Sequence, residues 1–424
     1  MNSLRLVCRA CSGLDGLSIV SSGLVPAKRA RLPTSKRPRL PWCVLSTSTR
    51  PFHSTRQHCS SSPDSCSDPP RRISYRVAVS SSGKGRRFHP AKNVYDFDPA
   101  VHDALGLVNE DDNPVTRRKQ RPDSGEDAFF VSKIGCPQSG AQELTTVAFG
   151  IADGVGGWTE SRVDPADFSH ALCGYMARSA LSWESPADTL KAKSLLQMGY
   201  DQVVADKYIQ AGGSTASVGI AHSDGRVELA NLGDSGSVLL RLAAVHHYSI
   251  PQTHGFNTPY QLSIIPPQMR KQASIFGGSF LEDLPRDASV TNIHMQHGDV
   301  LLLATDGVFD NLNNQDILKN ITSRMLFTKA WTATVHSGMK VSENLADLTR
   351  SGGLSSLMPA QASHEYSLQG MLAASVASEA KLASVDIRRD GPFAKEAQRY
   401  YPGDWYRGGK VDDICVLVVV AVEE

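Results

Sequence analysis

The chain has 424 residues, 41% hydrophobic and 21% charged, a balance that allows one large domain or two or three small ones. Its longest apolar run, Ile414 to Val422, has nine residues, well short of the roughly 20 that a membrane-spanning helix needs. The net charge of +1 divides unevenly, with ten Lys/Arg against one acid in residues 1–63 and 34 bases against 42 acids beyond them; a body of net −8 argues against a general nucleic-acid binder, which needs a basic face.

Residues 1–63 also hold 16 Ser/Thr, the composition of an organelle transit peptide. Arg50-Pro51-Phe52-His53-Ser54 has the form of a matrix-protease cleavage site, so the expectation is import into the mitochondrial matrix; the alternative is a disordered basic tail. Five of the eight cysteines fall within the first 66 residues, leaving Cys136, Cys173 and Cys415. That odd number, without metal-type spacing, suits a reducing compartment.

Residues 64–120, rich in Ser, Pro, Arg and Asp, read as a linker or N-terminal extension with one strand-like run, Ile73 to Val79. A catalytic domain is expected over 121–424. Apolar β-type runs follow at Ala128 to Val131, Thr145 to Ile151, Val227 to Leu232, Ser237 to Leu242, Val300 to Ala304 and Ile414 to Val422. Asp164-Pro165 caps a helix carrying Phe168, Ala171, Leu172, Tyr175 and Met176, and Ser185 to Asp188 reads as a capping box for a second. Residues 320–362 lack a clean period and are expected to form a partly ordered insertion or lid. An Ala-rich helix is predicted over about Glu365 to Leu382. Strands, then two helices, then more strands fit an α+β arrangement better than strict βαβ alternation.

Acids sit at the ends of these strands: Glu126-Asp127 before Ala128, Asp153 after Ile151, Asp234 after Leu232, Asp306 after Ala304, and Asp412-Asp413 before Ile414. Singly, an Asp-Gly is most often a turn. Together, in an antiparallel sheet whose strand starts adjoin its neighbours' ends, they would gather on one edge. Crowded carboxylates repel and take up protons, so the set calls for divalent cations. Oxygen-only donors suit Mg²⁺ or Mn²⁺ better than Zn²⁺, and two such ions can acidify a water and aim it at a phosphate ester.

Six ordered motifs carry a resemblance: Gly125-Glu126-Asp127-Ala128, Asp153-Gly154-Val155-Gly156-Gly157-Trp158, Gly212-Gly213-Ser214-Thr215-Ala216, Asn231 to Gly236, Leu303 to Asp310, and Val411-Asp412-Asp413-Ile414. Together they resemble the metal-dependent serine/threonine protein phosphatases of the 2C family. Val155 to Trp158, Phe256 to Leu262 and Pro392-Phe393-Ala394 are similar to its mitochondrial branch. The resemblance implies a four-layer αββα sandwich, two central antiparallel sheets flanked by helices with metals at one end. It also implies a monomer acting on phosphoserine and phosphothreonine of mitochondrial phosphoproteins through a metal-activated water at a binuclear Mg²⁺ or Mn²⁺ centre. Carried over by position, Asp153, Asp306 and Asp412 would be catalytic. Asp153 would bridge both ions, Gly154 would offer its carbonyl, Glu126 would act through water and Asp127 would support the site. Asp306 and Asp412 would hold the second ion, Asp413, where the wider family more often has Asn, would also belong to the metal set, and Asp234 would match a weaker third metal.

Two positions depart from the wider family: Val155 where many members have a proton-donating histidine, and Pro122 where many have a phosphate-gripping arginine. Arg121, Arg162 and His254 are the candidates for the phosphate contact. A cysteine-type phosphatase fails because Ser65 and Ser179 stand six positions after Cys59 and Cys173, where arginine is required. An aspartyl-phosphate route fails because Asp96-Phe97-Asp98 lacks the following Thr. A nuclease shares the ion chemistry but lacks the basic body. The remaining alternative is a phosphatase-like scaffold that binds phosphoproteins with weak or no turnover.

Overall fold

The ten residues Ile414–Glu423 form a strand with nine positions buried, so both its faces are covered, which is why it reads as an unbroken apolar run. Ile414, Val416, Val418, Val420 and Val422 pack with helices, whereas Cys415, Leu417, Val419 and Ala421 face a second sheet. The two-residue period of the strand thus assigns every side chain to one of two cores.

This computed structural model describes residues 72–90, 92–107, 113–135, 146–276, 280–335, 338–357, 367–403 and 405–424. The expected transit peptide, most of the cysteines and the start of the expected extension lie outside the described residues. The first sheet runs in the order Ala244–Tyr248, Gly236–Arg241, Val300–Ala304, Ile414–Glu423, Ile73–Ser82, Val94–Phe97. The second runs Ser289–His294, Arg226–Leu232, Ala216–Ala221, Val147–Asp153, Asp127–Lys133, Ala104–Leu105. Neighbours in both are antiparallel.

Three cores separate four layers. Phe129, Val131, Phe149 and Ile151 of the second sheet meet Val77, Val79, Leu301 and Leu303 of the first. Their alternates Ala128, Phe130, Ala148 and Ala152 pack under helices Pro165–Leu181 and Ala192–Ala205 through Phe168, Leu172, Met176, Leu195 and Leu196. On the far side, helices Asn314–Phe327 and Leu368–Ser384 place Ile317, Ile321, Leu372 and Val376 on the first sheet. The architecture is the expected αββα sandwich.

Four details differ from the sequence-based expectations. Ile73–Ser82 pairs along its full length with Ile414–Glu423, so the sandwich draws on residues that read as an extension before Arg121. The run after Ser185 forms only a short turn, Ala187–Thr189, and the helix begins at Ala192 without a side-chain cap from its own chain neighbours; instead the Glu228 carboxylate accepts the Ala192 N–H at 2.8 Å. The described residues of 320–362, expected to form a partly ordered insertion or lid, are regular. They continue helix Asn314–Phe327 and form the hairpin Trp331–Thr334/Gly338–Val341, with Trp331, Leu345 and Leu354 fully buried; residues 336–337 and 358–366 lie outside the described set. The Ala-rich helix starts at Leu368, where Ser367 caps it through the Gly370 N–H.

Candidate metal centre

The acids do not share one sheet edge. Asp127 and Asp153 face each other on neighbouring strands of the second sheet, whereas Asp306 follows Val300–Ala304 and Asp412-Asp413 precede Ile414–Glu423 in the first. The two sheets bring them together at one end of the sandwich. Thr305 Oγ1, at the end of a first-sheet strand, donates to Asp127 Oδ2 at 2.8 Å. Gly307 lets the short helix Asp306–Phe309 press against the other contributing segment, since a Cβ there would lie 1.9 Å from the Asp413 carbonyl oxygen.

Carboxylate oxygens of Asp306, Asp310 and Asp412 lie within 4.8 Å of one another. Lys410 Nζ sits among them, 2.8 Å from Asp306 Oδ2, 2.6 Å from Asp310 Oδ2 and 3.1 Å from Asp412 Oδ2. Asn311 fixes the lysine backbone, accepting the Lys410 N–H at 2.9 Å and donating to its carbonyl at 2.9 Å. The Phe393 ring lies 4.9 Å from the ammonium. Burial would raise the Asp306 carboxyl, but Lys410 holds it below its ordinary value. Burial, then Asp306 and Asp127, pushes Asp153 well up. Burial, with the Asp306 charge opposing Lys410, does the same to Asp310.

Asp413 spends its carboxylate on the chain itself: Oδ2 accepts the Glu126 N–H at 2.8 Å and Oδ1 accepts the Lys84 N–H. Gly125, at φ +71°, gives it room, because a Cβ would collide with the carboxylate. The Glu126 carboxyl is raised to about 7 by burial and by Asp413 and Asp412. Asp234 is raised to about 7 by burial and Asp306. Asp127 is 1% exposed, its second oxygen Oδ1 has no hydrogen-bond partner, and burial and Asp413 push it well up.

These observations fit a hard divalent cation. A buried carboxylate oxygen without a donor, an oxygen-only set and an ammonium already seated among three carboxylates all mark a place where positive charge is required. Glu126, Asp127, Asp153, Asp234, Asp306, Asp412 and Asp413 are brought into one interacting group. Gly154 joins them through its N–H, donated to the Glu126 carbonyl at 3.1 Å.

The three phosphate candidates have other engagements or none. Arg121 is bound by Asp164 and Asp167 at the start of helix Pro165–Leu181. His254 Nε2 lies 2.9 Å from Asp283 Oδ2, with its ring stacked on Tyr260. Arg162 is exposed in the left-handed region at φ 60° and makes no ion pair among the described residues. Ser214 is fully buried and donates to the Asp153 carbonyl at 2.8 Å, a structural role. Asp310, Asn311 and Lys410 are additions to the sequence-based candidates. Two signals pointed to them: Asp310 stands four residues after Asp306, hence on the same side of a helical turn, and Lys410 stands two before Asp412, hence on the same side of an extended segment.

The family model for protein phosphatase 2C matches residues 127–348. The yeast (Saccharomyces cerevisiae) protein "Protein phosphatase 2C homolog 7, mitochondrial" is 33% identical over 303 residues, covering 70% of this chain and 75% of its own. The human "Protein phosphatase PTC7 homolog" is 33% identical over 300 residues, covering 70% and 80%. Among solved structures, the photosystem II phosphatase PBCP is 24% identical with a TM-score of 0.47, over 74% of this chain and 96% of its own. The chain therefore belongs to the protein phosphatase 2C family and is a protein serine/threonine phosphatase.

Proposed function

We propose that the protein removes phosphate from phosphoserine and phosphothreonine of mitochondrial proteins at a centre of two Mg²⁺ or Mn²⁺ ions. The observation that carries this reading is that Asp306, Asp310 and Asp412 meet around a single ammonium while Asp127 and Asp153, opposed on neighbouring strands of the other sheet, interact electrostatically with that group. Asp153, Asp306 and Asp412, with Glu126, Asp127, Asp234 and the Gly154 carbonyl, would hold the cations, a weaker third ion falling to Asp234. When bound, divalent cations supply an acidified water for attack and positive charge for the phosphate oxygens. The protein's own part is to keep the donors fixed: Thr305 orients Asp127, Asp413 pins the Glu126 backbone, and Asn311 holds the segment leading to Asp412.

The basic, acid-poor residues 1–63 and the "mitochondrial" in the yeast relative's name support delivery to the mitochondrial matrix. No helix among the described residues is long and apolar enough to cross a membrane. The protein would act there as a monomer on matrix phosphoproteins. Hydrolysis of a phosphothreonine peptide, followed with Mn²⁺ and with a chelator, tests the chemistry. Turnover should stop with the chelator and return with excess Mn²⁺; metal-independent turnover, or none in well-folded protein, overturns the reading. Fusion of residues 1–63 to a fluorescent reporter tests the address, and a reporter that stays in the cytosol refutes it.

A further inference from the structure

The Phe393 ring, 4.9 Å from the Lys410 ammonium, is the inner end of an aromatic strip that leads away from the carboxylate group. Phe393 opens helix Pro392–Tyr400, and its N–H donates to the Asp310 carbonyl at 3.0 Å. The helix is thereby fastened to the turn that carries Asp306 and Asp310. Tyr400 stands seven residues after Phe393, about two helical turns, and so shares its face. Phe256 joins the paired segments Thr253–Gly255 and Thr258–Pro259 and packs on that face. Its ring centroid is 5.1 Å from Phe393, 5.4 Å from Tyr400 and 5.8 Å from Tyr401.

The outer rings stand in water: Tyr400 is 53% exposed and Tyr401 50%. Single exposed aromatics are ordinary, but these are joined ring to ring to the residues of the metal centre, and a contiguous exposed patch marks an interaction surface. Tyrosine suits one, because it offers a large contact area at low entropic cost. Arg399 precedes Tyr400 and Arg407 follows Tyr406, whose ring lies 5.1 Å from Phe393. Both arginines are exposed, and like charge disfavours a basic side chain placed here.

We propose that this strip seats the substrate polypeptide next to its phosphorylated residue by taking an aromatic side chain a few positions away. The inference rests on the hydrolysis assigned above to the metal centre. The steps from the ammonium to Phe393, Phe256 and Tyr400 are 4.9, 5.1 and 5.4 Å, so extended peptide at ~3.4 Å per residue covers the path with about four residues. An aromatic residue within that span could rest on Tyr400 and Tyr401 while the phosphate occupies the centre.

The test is hydrolysis by the full-length protein, with Mn²⁺, of phosphothreonine peptides differing in one residue, Phe, Ser or Arg, at each of the four positions before and after the phosphothreonine. At one or more of them Phe should raise kcat/KM about tenfold over Ser, the scale of one packed aromatic contact, and Arg should give no gain. Tyr400→Ser combined with Tyr401→Ser should bring the Phe-to-Ser ratio to about one. Being a ratio within one protein, it is independent of the fraction folded, and each single variant should move it in the same direction. Turnover of p-nitrophenyl phosphate, which has no polypeptide to seat, separates the two readings. Its absence in well-folded protein overturns the phosphatase chemistry and this proposal with it, whereas its presence without any preference for Phe overturns the strip alone. An equal gain from Arg, a preference surviving the double variant, or rings that bind anionic phospholipid vesicles while the peptides show no preference would each overturn it as well.

Discussion

Lys410 is the residue on which the charge balance of the metal-free centre turns. It stands between Asp306, Asp310 and Asp412, and these carboxylates in turn hold its ammonium well above the ordinary lysine range against the opposing effect of burial. Removing one partner of a buried ion pair leaves the others uncompensated, at a cost of roughly 3–5 kcal/mol. Lys410→Met should therefore lower the melting temperature of chelator-treated protein sharply, and saturating Mn²⁺ should recover most of the loss; equal destabilisation with and without metal would contradict this role. Asp153→Asn has the opposite signature, because it removes one of the mutually repelling charges. The metal-free fold should hold or gain stability while turnover of a phosphopeptide falls by roughly two to three orders of magnitude, the scale on which loss of one charge-stabilising group acts. Near-normal turnover in a folded Asp153→Asn protein would remove this residue from the centre.

At the scale of the elements, the acids were legible because each sits where a strand begins or ends, and the strands were legible from their apolar runs. Asp127 and Asp153, directly opposed on adjacent strands, show how far that reading goes. It could not tell that Asp306 and Asp412 belong to a different sheet, because sheet membership is decided by pairing partners distant in sequence. Lys410 was legible only in part: its place two residues before Asp412 puts both on one side of the segment, but its meeting with Asp306 and Asp310 depends on residues distant in sequence. Ser185 misled because the N–H of Ala192 is satisfied by Glu228 from a neighbouring strand rather than by a local cap. Residues 320–362 looked irregular because their hairpin is short, yet Trp331 is fully buried with its Nε1 donating to the Gly298 carbonyl at 3.0 Å. Trp331→Ala should cost about 3–5 kcal/mol, seen as a lowered melting temperature, with kcat and KM unchanged well below the transition. A segment acting as a lid would instead move kcat or KM and leave stability nearly intact.

The whole molecule places a group of mutually repelling carboxylates at the end of a sandwich whose three cores hold it there. Glu126 and Asp234 have pKa values raised to about 7 by burial, joined respectively by Asp413 and Asp306. A carboxyl raised in the folded state binds a proton more tightly there than in the unfolded chain. Its stabilising contribution is complete below the ordinary carboxylate range and disappears as pH rises through about 7. Divalent cations should displace those protons, so the rise in melting temperature produced by Mn²⁺ should grow from pH 6 to pH 8; a constant or shrinking rise would contradict the linkage. The most direct measurement is anomalous scattering from a crystal grown with Mn²⁺. The expected result is two strong manganese peaks coordinated by carboxylate oxygens of Asp153, Asp306 and Asp412. A well-ordered crystal with those side chains in place and manganese bound only elsewhere would contradict it.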